Sequence, residues 1–436
     1  MSKRIISALD VGSSKVCAVI ASCEDDSAPQ VIGVASQPSV GIKKGVVVNI
    51  DDAINTIAST LEAAERMAGI TVPSVYLSVS GKHITSINNK GVVAVSTEEI
   101  IPDDVYRAIE SARTISIPPG REILHVIPRE FIVDSQVGVK DPVSMTGTRL
   151  EVDAHIVSAT STVLHNLLKC VQQLGLKVDD VVFSGWASST SVLTDTEKEL
   201  GVMLLDIGGG VTSITTFVED AITYSGCVPF GGINVTSDLA IGLRVNLDDA
   251  ERIKVNAADL LKGKVKGEKS GKSVDVNSKA KNKKKSKKNK SKVIDVSSLG
   301  IEGTKEIDKE LFEEIIEARL SEIFDLVLAQ ISQAGSDTSM PAGVVLTGGC
   351  AMLPSITKIT KRVLKVPARI GYPKGLEGLV DEISSPAYST IQGLVLYGMG
   401  SNGESRLSES ISGGGGGEGV GNIFSKVGGW FKNLIP

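Results

Sequence analysis

Residues 4–23 alternate apolar and small side chains around Gly12, Ser13 and Ser14, which predicts two strands joined by a tight turn. Residues 51–69 repeat apolar positions at helical spacing, open on acidic residues and close on Gly69, so a helix is expected. The run SVYLSVSG then reads as a strand. Within 84–160, GVVAVS and EFIVDSQVGV read as strands, and PDDVYRAIESART as a helix between prolines 102 and 118–119. A small α+β insert is expected there. STVLHNLLKCVQQLG predicts a helix, DDVVFSG a strand, and the residues after it another helix. Residues 201–232 repeat the hairpin pattern, followed by expected helices in VTSDLAIGL, LDDAERIKVNAADLL and the amphipathic stretch 305–335. Strand AGVVLTGG and helices SITKITKRVLK and PAYSTIQGLVLYGMG complete the folded part near residue 400.

Composition narrows the class. A chain of 436 residues with 42% apolar and 22% charged residues can bury a large core in two domain-sized units, and 4% aromatics make that core aliphatic. The net charge of −5 conceals fourteen lysines against two acids in 262–292, a net of +12 that leaves −17 elsewhere. That stretch lacks Phe, Tyr and Trp, so it reads as a disordered solvated loop or as an attractor for anionic lipid or an acidic partner. Without aromatics to stack bases, nucleic acid is not an expected partner. Five scattered cysteines point to reduced thiols in a cytoplasmic protein. Asp10 interrupts the N-terminal apolar run too early for a signal peptide, and no apolar stretch nears the roughly 20 residues of a spanning helix. Membrane contact is therefore expected to be peripheral. The histidines at 83, 125, 155 and 165 have no metal-ligand spacing, and neither zinc nor nucleophilic catalysis is signalled.

The hairpin segments IISALDVGSSKVCAVI and VMLLDIGGGVTSITTF share one pattern and begin about 196 residues apart, which suggests a duplicated fold. Each has an apolar strand, Asp, an aliphatic residue, Gly, two small residues and a second strand. Small turn residues (Gly12, Ser13, Ser14; Gly208, Gly209, Gly210) let backbone amides approach an anion. Ser13, Ser14 and Thr212 can add hydroxyls, and Lys15 a charge. Two aspartates facing a polyphosphate would repel it unless a cation lies between. Asp10 and Asp206 therefore imply Mg²⁺ held through water. GVVLTGGCAMLPSI passes a strand through Gly348 and Gly349 towards Cys350 and Met352, where a base or ribose could rest. Glu251 and Lys254, three apart on one helix face, are either a surface ion pair or a contact to that ribose and base.

These elements resemble the superfamily of actin, Hsp70 and the sugar kinases. Within it, VYLSVSGKHI, LHVIPREFIVD, GLKVDDVVFSGWASSTSVLTDTEKELGV, VLTGGCAMLPSI and ARIGYP are similar to the FtsA family of bacterial cell-division proteins over about residues 4–400. The resemblance implies an α/β, actin-like (ribonuclease H-like) duplicated two-lobe ATPase fold with an α+β insert. It divides the chain into subdomain 1A (1–83, resumed at 161–200), insert 1C (84–160), 2A (201–232) and 2B (233–304). The remainder of 2A and 1A would occupy 305–400. It also implies a filament-forming, ATP-binding protein that tethers FtsZ to the cytoplasmic side of the membrane at the division site. Insert 1C would serve polymer contacts and recruitment of later division proteins. Asn234 and Arg319 would contact the FtsZ C-terminal peptide. The segment before the second hairpin, FSGWASSTS, offers no acid, amide or histidine to orient water, so ATP turnover is expected to be slow or negligible. An actin-like ATPase of pilus assembly and a small-molecule kinase are the alternatives.

Residues 401–419 are rich in Ser, Gly and Glu and are expected as a flexible linker. At 100° per residue, 420–435 separate into two faces. Ile423, Phe424, Val427, Trp430, Phe431 and Leu434 fall in one arc, with Lys426 and Lys432 opposite. The pattern suits a short helix lying in a membrane interface near anionic headgroups.

Overall fold

In the computed structural model, residues 4–24, 27–262, 293–301, 303–335 and 340–400 are described. The lysine-rich stretch from 263 onward, the expected linker and the amphipathic segment 420–436 lie outside them. β1 (Arg4–Val11) and β2 (Lys15–Cys23) form the expected hairpin, and β3 (Gln30–Pro38) joins β2 on its other side. A two-stranded ribbon, β4 (Ile42–Lys43) and β5 (Val46–Val47), leads into α1 (Ile50–Ala68). Asn49 caps α1 by accepting from the Asp51 and Asp52 amides, and left-handed Gly69 ends it. β6 (Ser74–Val79) returns parallel to β1.

The insert follows as β7 (Thr85–Ala94), α2 (Pro102–Arg113), β8 (Arg121–Val133), β9 (Gln136–Val139) and β10 (Arg149–Thr160). Its antiparallel sheet runs β7-β10-β8-β9, with α2 packed on one face. EFIVDSQVGV, expected as one strand, is a hairpin corner, because Asp134 and Ser135 take left-handed backbone (φ 45° and 79°). The insert also leans on the second lobe. Buried His155 sits between Asn88 Oδ1 (2.6 Å) and Ser225 Oγ (3.0 Å), and burial holds its imidazole down to about 3.

After α3 (Ser161–Gln172), β11 (Lys177–Phe183), α4 (Ser184–Val192) and α5 (Asp195–Leu200), the second lobe begins. It contains β12 (Val202–Ile207), β13 (Thr212–Val218), β14 (Ala221–Val228), α6 (Gly232–Leu243), α7 (Leu247–Val255) and α8 (Ala257–Lys262). β15 (Val293–Asp295), β16 (Glu306–Asp308), α9 (Lys309–Gln333), β17 (Gly343–Thr347), α10 (Ile356–Leu364) and β18 (Ala368–Ile370) complete it. β19 (Glu377–Gly378) and α11 (Ser389–Gly400) pack back on the first lobe. Two expected helices are corrected. LDDAERIKVNAADLL breaks at Asn256, whose side chain turns back to the Arg252 carbonyl. The helix expected from 305 starts at Lys309, because Asp308 caps it and 306–308 pair with β15. Along α9, Phe312, Ile316, Leu320, Ile323, Phe324, Val327 and Ile331 make one buried stripe.

The duplication is visible in strand order. β3-β2-β1-β6-β11 in one sheet matches β14-β13-β12-β17-β18 in the other, with the same antiparallel and parallel pairings. Both faces of each central strand are apolar, as expected for sheets covered on both sides. In β1, Leu9 and Val11 face the core under α1, while Ile6 and Ala8 face the core under α11. Side chains alternate, so Asp10 shares the Ile6–Ala8 face, and Asp206 shares the face of Val202 and Leu204, which packs on Val192 of α4. Both aspartates thus point to the side of the sheets where α4 and α11 cross between lobes.

A further tie joins α5 to β18. Arg369 donates from Nε and Nη2 to the two carboxylate oxygens of Glu197, each at 2.6 Å. Burial opposes the charge on Glu197, but the Arg369 and Thr194 hydrogen bonds outweigh it and hold the carboxyl below its usual range. Such a group adds stability above its unfolded pKa and loses it as pH falls through the folded value. Glu197→Gln is expected to cost about 0.5–1 kcal/mol near neutral pH, because Arg369 is partly solvated. It should also remove that share of the acid-side decline, read from urea midpoints near pH 7 and below about pH 4.

Candidate functional site

The two hairpin turns face each other across the lobes. Gly12 N donates to Lys15 O (3.0 Å) and Gly208 N to Val211 O (2.9 Å), so the turns close in the same way. Asp10 stands opposite Cys17, and Asp206 opposite Ser213, at equivalent register. A Cβ on Gly209 would lie 2.6 Å from Ser14 Cβ, and one on Gly210 would lie 2.8 Å from Ser13 Cβ. Glycine is what permits this approach. Beside the turns lies a cavity of about 450 Å³ lined by Ser14, Lys15, Ser36, Gln37, Pro38, Gly209, Ile233, Glu251 and Lys254.

Each aspartate is anchored by hydroxyls from distant segments. Ser78 Oγ donates to Asp10 Oδ1 at 2.6 Å, and Ser188 Oγ (2.6 Å) and Thr390 Oγ1 (2.9 Å) donate to Asp206 Oδ2. Burial pushes both carboxyls up, while these hydrogen bonds and the Lys15 charge pull them back. Burial likewise lowers the Lys15 ammonium, against the favourable fields of Cys17, Asp10 and Asp206. Asp10 Oδ2 and Asp206 Oδ1 are not used by those hydroxyls. Two carboxylates completed by ligand oxygens and water form the donor set that hydrated Mg²⁺ takes, so these residues fit that ion. Among the described residues, no group of three or more His, Cys, Asp or Glu is placed to hold a metal by itself.

The other candidate residues fall into two groups. Gly348 (φ 82°) packs so tightly that a Cβ would stand 2.4 Å from Asp206 Oδ1, whereas a Cβ on Gly349 would make an ordinary 3.9 Å contact with Ala387 Cβ. Cys350 Sγ lies 3.5 Å from Gly208 O, with its thiol pushed up to about 11 by burial. Lys254 Nζ donates to Gly232 O (3.2 Å), Thr236 Oγ1 (2.9 Å) and Glu251 Oε2 (2.5 Å), which fixes the Glu251–Lys254 pair on the cavity wall. Ser13 Oγ accepts from Gly45 N, and the Thr212 hydroxyl is turned to Phe230 O. Met352 is exposed and does not line the cavity. Gly232 N and Ile233 N, which open α6, donate to Gly208 O and Gly209 O. Asn234 Oδ1 accepts from Gly231 N and caps α6. One turn along the same face, Asp238 receives two hydrogen bonds from Arg319 of α9 (2.5 and 2.9 Å). Ser78, Ser188, Tyr388, Thr390 and the wall Ser36–Pro38 carry no local signature in the sequence. Only the alternation in QVIGVASQP could have pointed to the strand that brings Ser36–Pro38 here.

Similarity to known proteins agrees with this geometry. Residues 203–393 match the family model "Cell division protein FtsA", and residues 81–158 match "SHS2 domain inserted in FTSA". The chain is 36% identical over 412 residues to cell division protein FtsA of Pseudomonas aeruginosa, covering 94% of this chain and 93% of that protein. The chain belongs to the FtsA family of cell division proteins. Its likeness to FtsA of Escherichia coli K12 is 33% over 441 residues, covering 99% and 97% of the two chains. The inserted-domain match falls on the four-stranded sheet β7–β10. Among solved structures, the PilM-PilN type IV pilus biogenesis complex is similar at a TM-score of 0.57 and 15% identity, over 90% of this chain and 98% of that one. Ethanolamine utilization protein EutJ from Carboxydothermus hydrogenoformans follows at 0.51 and 14%, over 91% of each chain. At such identities the likeness is one of fold, which is α/β and actin-like. The FtsA membership therefore outweighs the pilus-assembly alternative. Among the described residues, no helix is long and apolar enough to cross a membrane.

Proposed function

We propose that this FtsA-family protein is an ATP-binding, filament-forming adaptor that tethers FtsZ to the membrane at the division site and helps recruit later division proteins. The observation that carries the reading is the contact of Ser14 with Gly209 and of Ser13 with Gly210 across the lobes, beside a cavity ending at Glu251 and Lys254. The Ser13–Ser14 and Gly209–Gly210 amides would receive the phosphates, since the Gly12 and Gly208 amides close their own turns, and Lys15 would offset the phosphate charge. Asp10 and Asp206 would hold Mg²⁺ through water, and that ion would supply the positive charge that lets carboxylates and polyphosphate share one cleft. Glu251 and Lys254, which line the cavity, would meet the ribose and base, with Gly348, Gly349 and Cys350, which lie outside its lining, completing that wall only once nucleotide is bound.

α4, directly behind Asp206, offers serines, a threonine and a tryptophan but no base for water, and Ser188 is engaged with Asp206. ATP would therefore act chiefly as a ligand that closes the lobes, with slow turnover. α6 begins on the second turn and carries Asn234 and the Asp238 partner of Arg319, which supports a peptide site beside the nucleotide site. Lysines 426 and 432 and the apolar arc around Trp430 favour an interfacial foot on anionic lipid. A single foot binds weakly and many feet on a filament bind firmly, so nucleotide-dependent polymerisation would set membrane residence.

Co-sedimentation of the full chain with anionic liposomes tests the reading. Mg·ATP is expected to raise wild-type binding, and Trp430→Glu to reduce it by roughly tenfold or more. Equal binding of the two proteins would sink the anchoring claim, and wild-type binding indifferent to ATP would sink the coupling.

A further inference from the structure

The cleft has a wall that no phosphate or glycine pattern announces, the segment 386–390 ahead of and opening α11. Pro386 O accepts from Gly348 N at 3.0 Å, and Thr390 Oγ1 donates to Asp206 at 2.9 Å. Between them, the ring of Tyr388 has its centroid 3.0 Å from Lys15 Nζ. The two lysines lining the cavity are held in opposite ways. Lys254 spends its donors on three oxygens. Lys15 Nζ makes no hydrogen bond or ion pair among the described residues, and its charge rests on an aromatic face. A lysine stem has several torsions to order and a strongly hydrated head to desolvate. An aromatic face can support a desolvated ammonium while leaving its N–H donors uncommitted. Donors held in place and unspent are what an incoming phosphate requires.

We propose that Tyr388 is the positioning residue for Lys15, presenting the ammonium to the phosphates of the bound nucleotide. The inference rests on the ATP reading above and adds to it a residue 373 positions from the lysine that it serves. It also ties the state of the first phosphate turn to the start of α11, whose next residues already contact Asp206 through Thr390.

A double-mutant cycle on Mg·ATP affinity, measured by calorimetry with the full chain, tests it. Tyr388→Leu is expected to weaken binding roughly tenfold, and Tyr388→Phe, which keeps the ring, to stay near wild type. In a Lys15→Met background, Tyr388→Leu should cost nothing further, because the lysine it positions is gone. An equal loss in both backgrounds would show that Tyr388 acts only through packing and would overturn the proposal, as would wild-type affinity in Tyr388→Leu. Tyr388→Met serves as the second ring-free variant if Leu compromises folding, with the same outcomes. A wild type that takes up no Mg·ATP would overturn the nucleotide reading itself, whereas the other two failures leave it standing.

Discussion

Gly393→Ala is expected to destabilise the protein by about 3 kcal/mol or more, although Gly→Ala inside a helix ordinarily stabilises by roughly 0.5–1 kcal/mol. A Cβ at this position would stand 1.7 Å from the Ala187 carbonyl oxygen and 2.4 Å from its carbon. α11 and α4 would have to separate by more than an ångström. Their contact is lined with short polar links: Thr190 Oγ1 to Gly393 O, Ser191 Oγ to Ser389 O, and Ser188 to Thr390. Separation stretches all of them, and Ser188 and Thr390 are also the two hydroxyls on Asp206. The same variant should therefore lose nucleotide affinity along with stability. The midpoint of urea unfolding checks the first effect, and a midpoint at or above wild type would contradict the packing argument.

Gly209→Val should separate the two effects, leaving the fold intact while lowering Mg·ATP affinity by between roughly tenfold and a hundredfold. Its Cβ would meet Ser14 Cβ at 2.6 Å, a contact between two turns rather than within a core. Overpacking costs about 1–3 kcal/mol, and here the lobes can relieve it by opening. The open form buries little less apolar surface, so thermal unfolding should move far less than affinity does. Calorimetric titration and a melting curve on one sample decide it. Wild-type affinity would show that the turns need not touch for nucleotide to bind.

The contrast between these glycines shows what was legible beforehand. Gly209 stood in a repeated turn pattern whose chemistry could be argued from residue type. Gly393 lay in an unremarkable apolar helix, and nothing in GLVLYGMG marks which glycine meets another backbone. Lys15 is legible from its place beside the first turn, but Tyr388 has no such place. Asp10 and Asp206 show as a pair in the repeated turn pattern, whereas their partners Ser78, Ser188 and Thr390 are ordinary small polar residues in sequence.

By itself the sequence determined the hairpins, the capped helices, the α+β insert and the doubling of the fold. These rest on interactions between residues close in the chain: alternation at period two, apolar stripes at 3.6, acidic Asp51 and Asp52 at a helix start, Gly69 at its end. Two helix boundaries failed where Asn256 and the β15–β16 pairing overrode periodicity. Only the tertiary structure decided which hydroxyls hold the carboxylates, which ring supports the lysine and which helices cross at Gly393. Those contacts join residues up to hundreds of positions apart, so each depends on how two sheets and two crossing helices pack, and no local pattern encodes that.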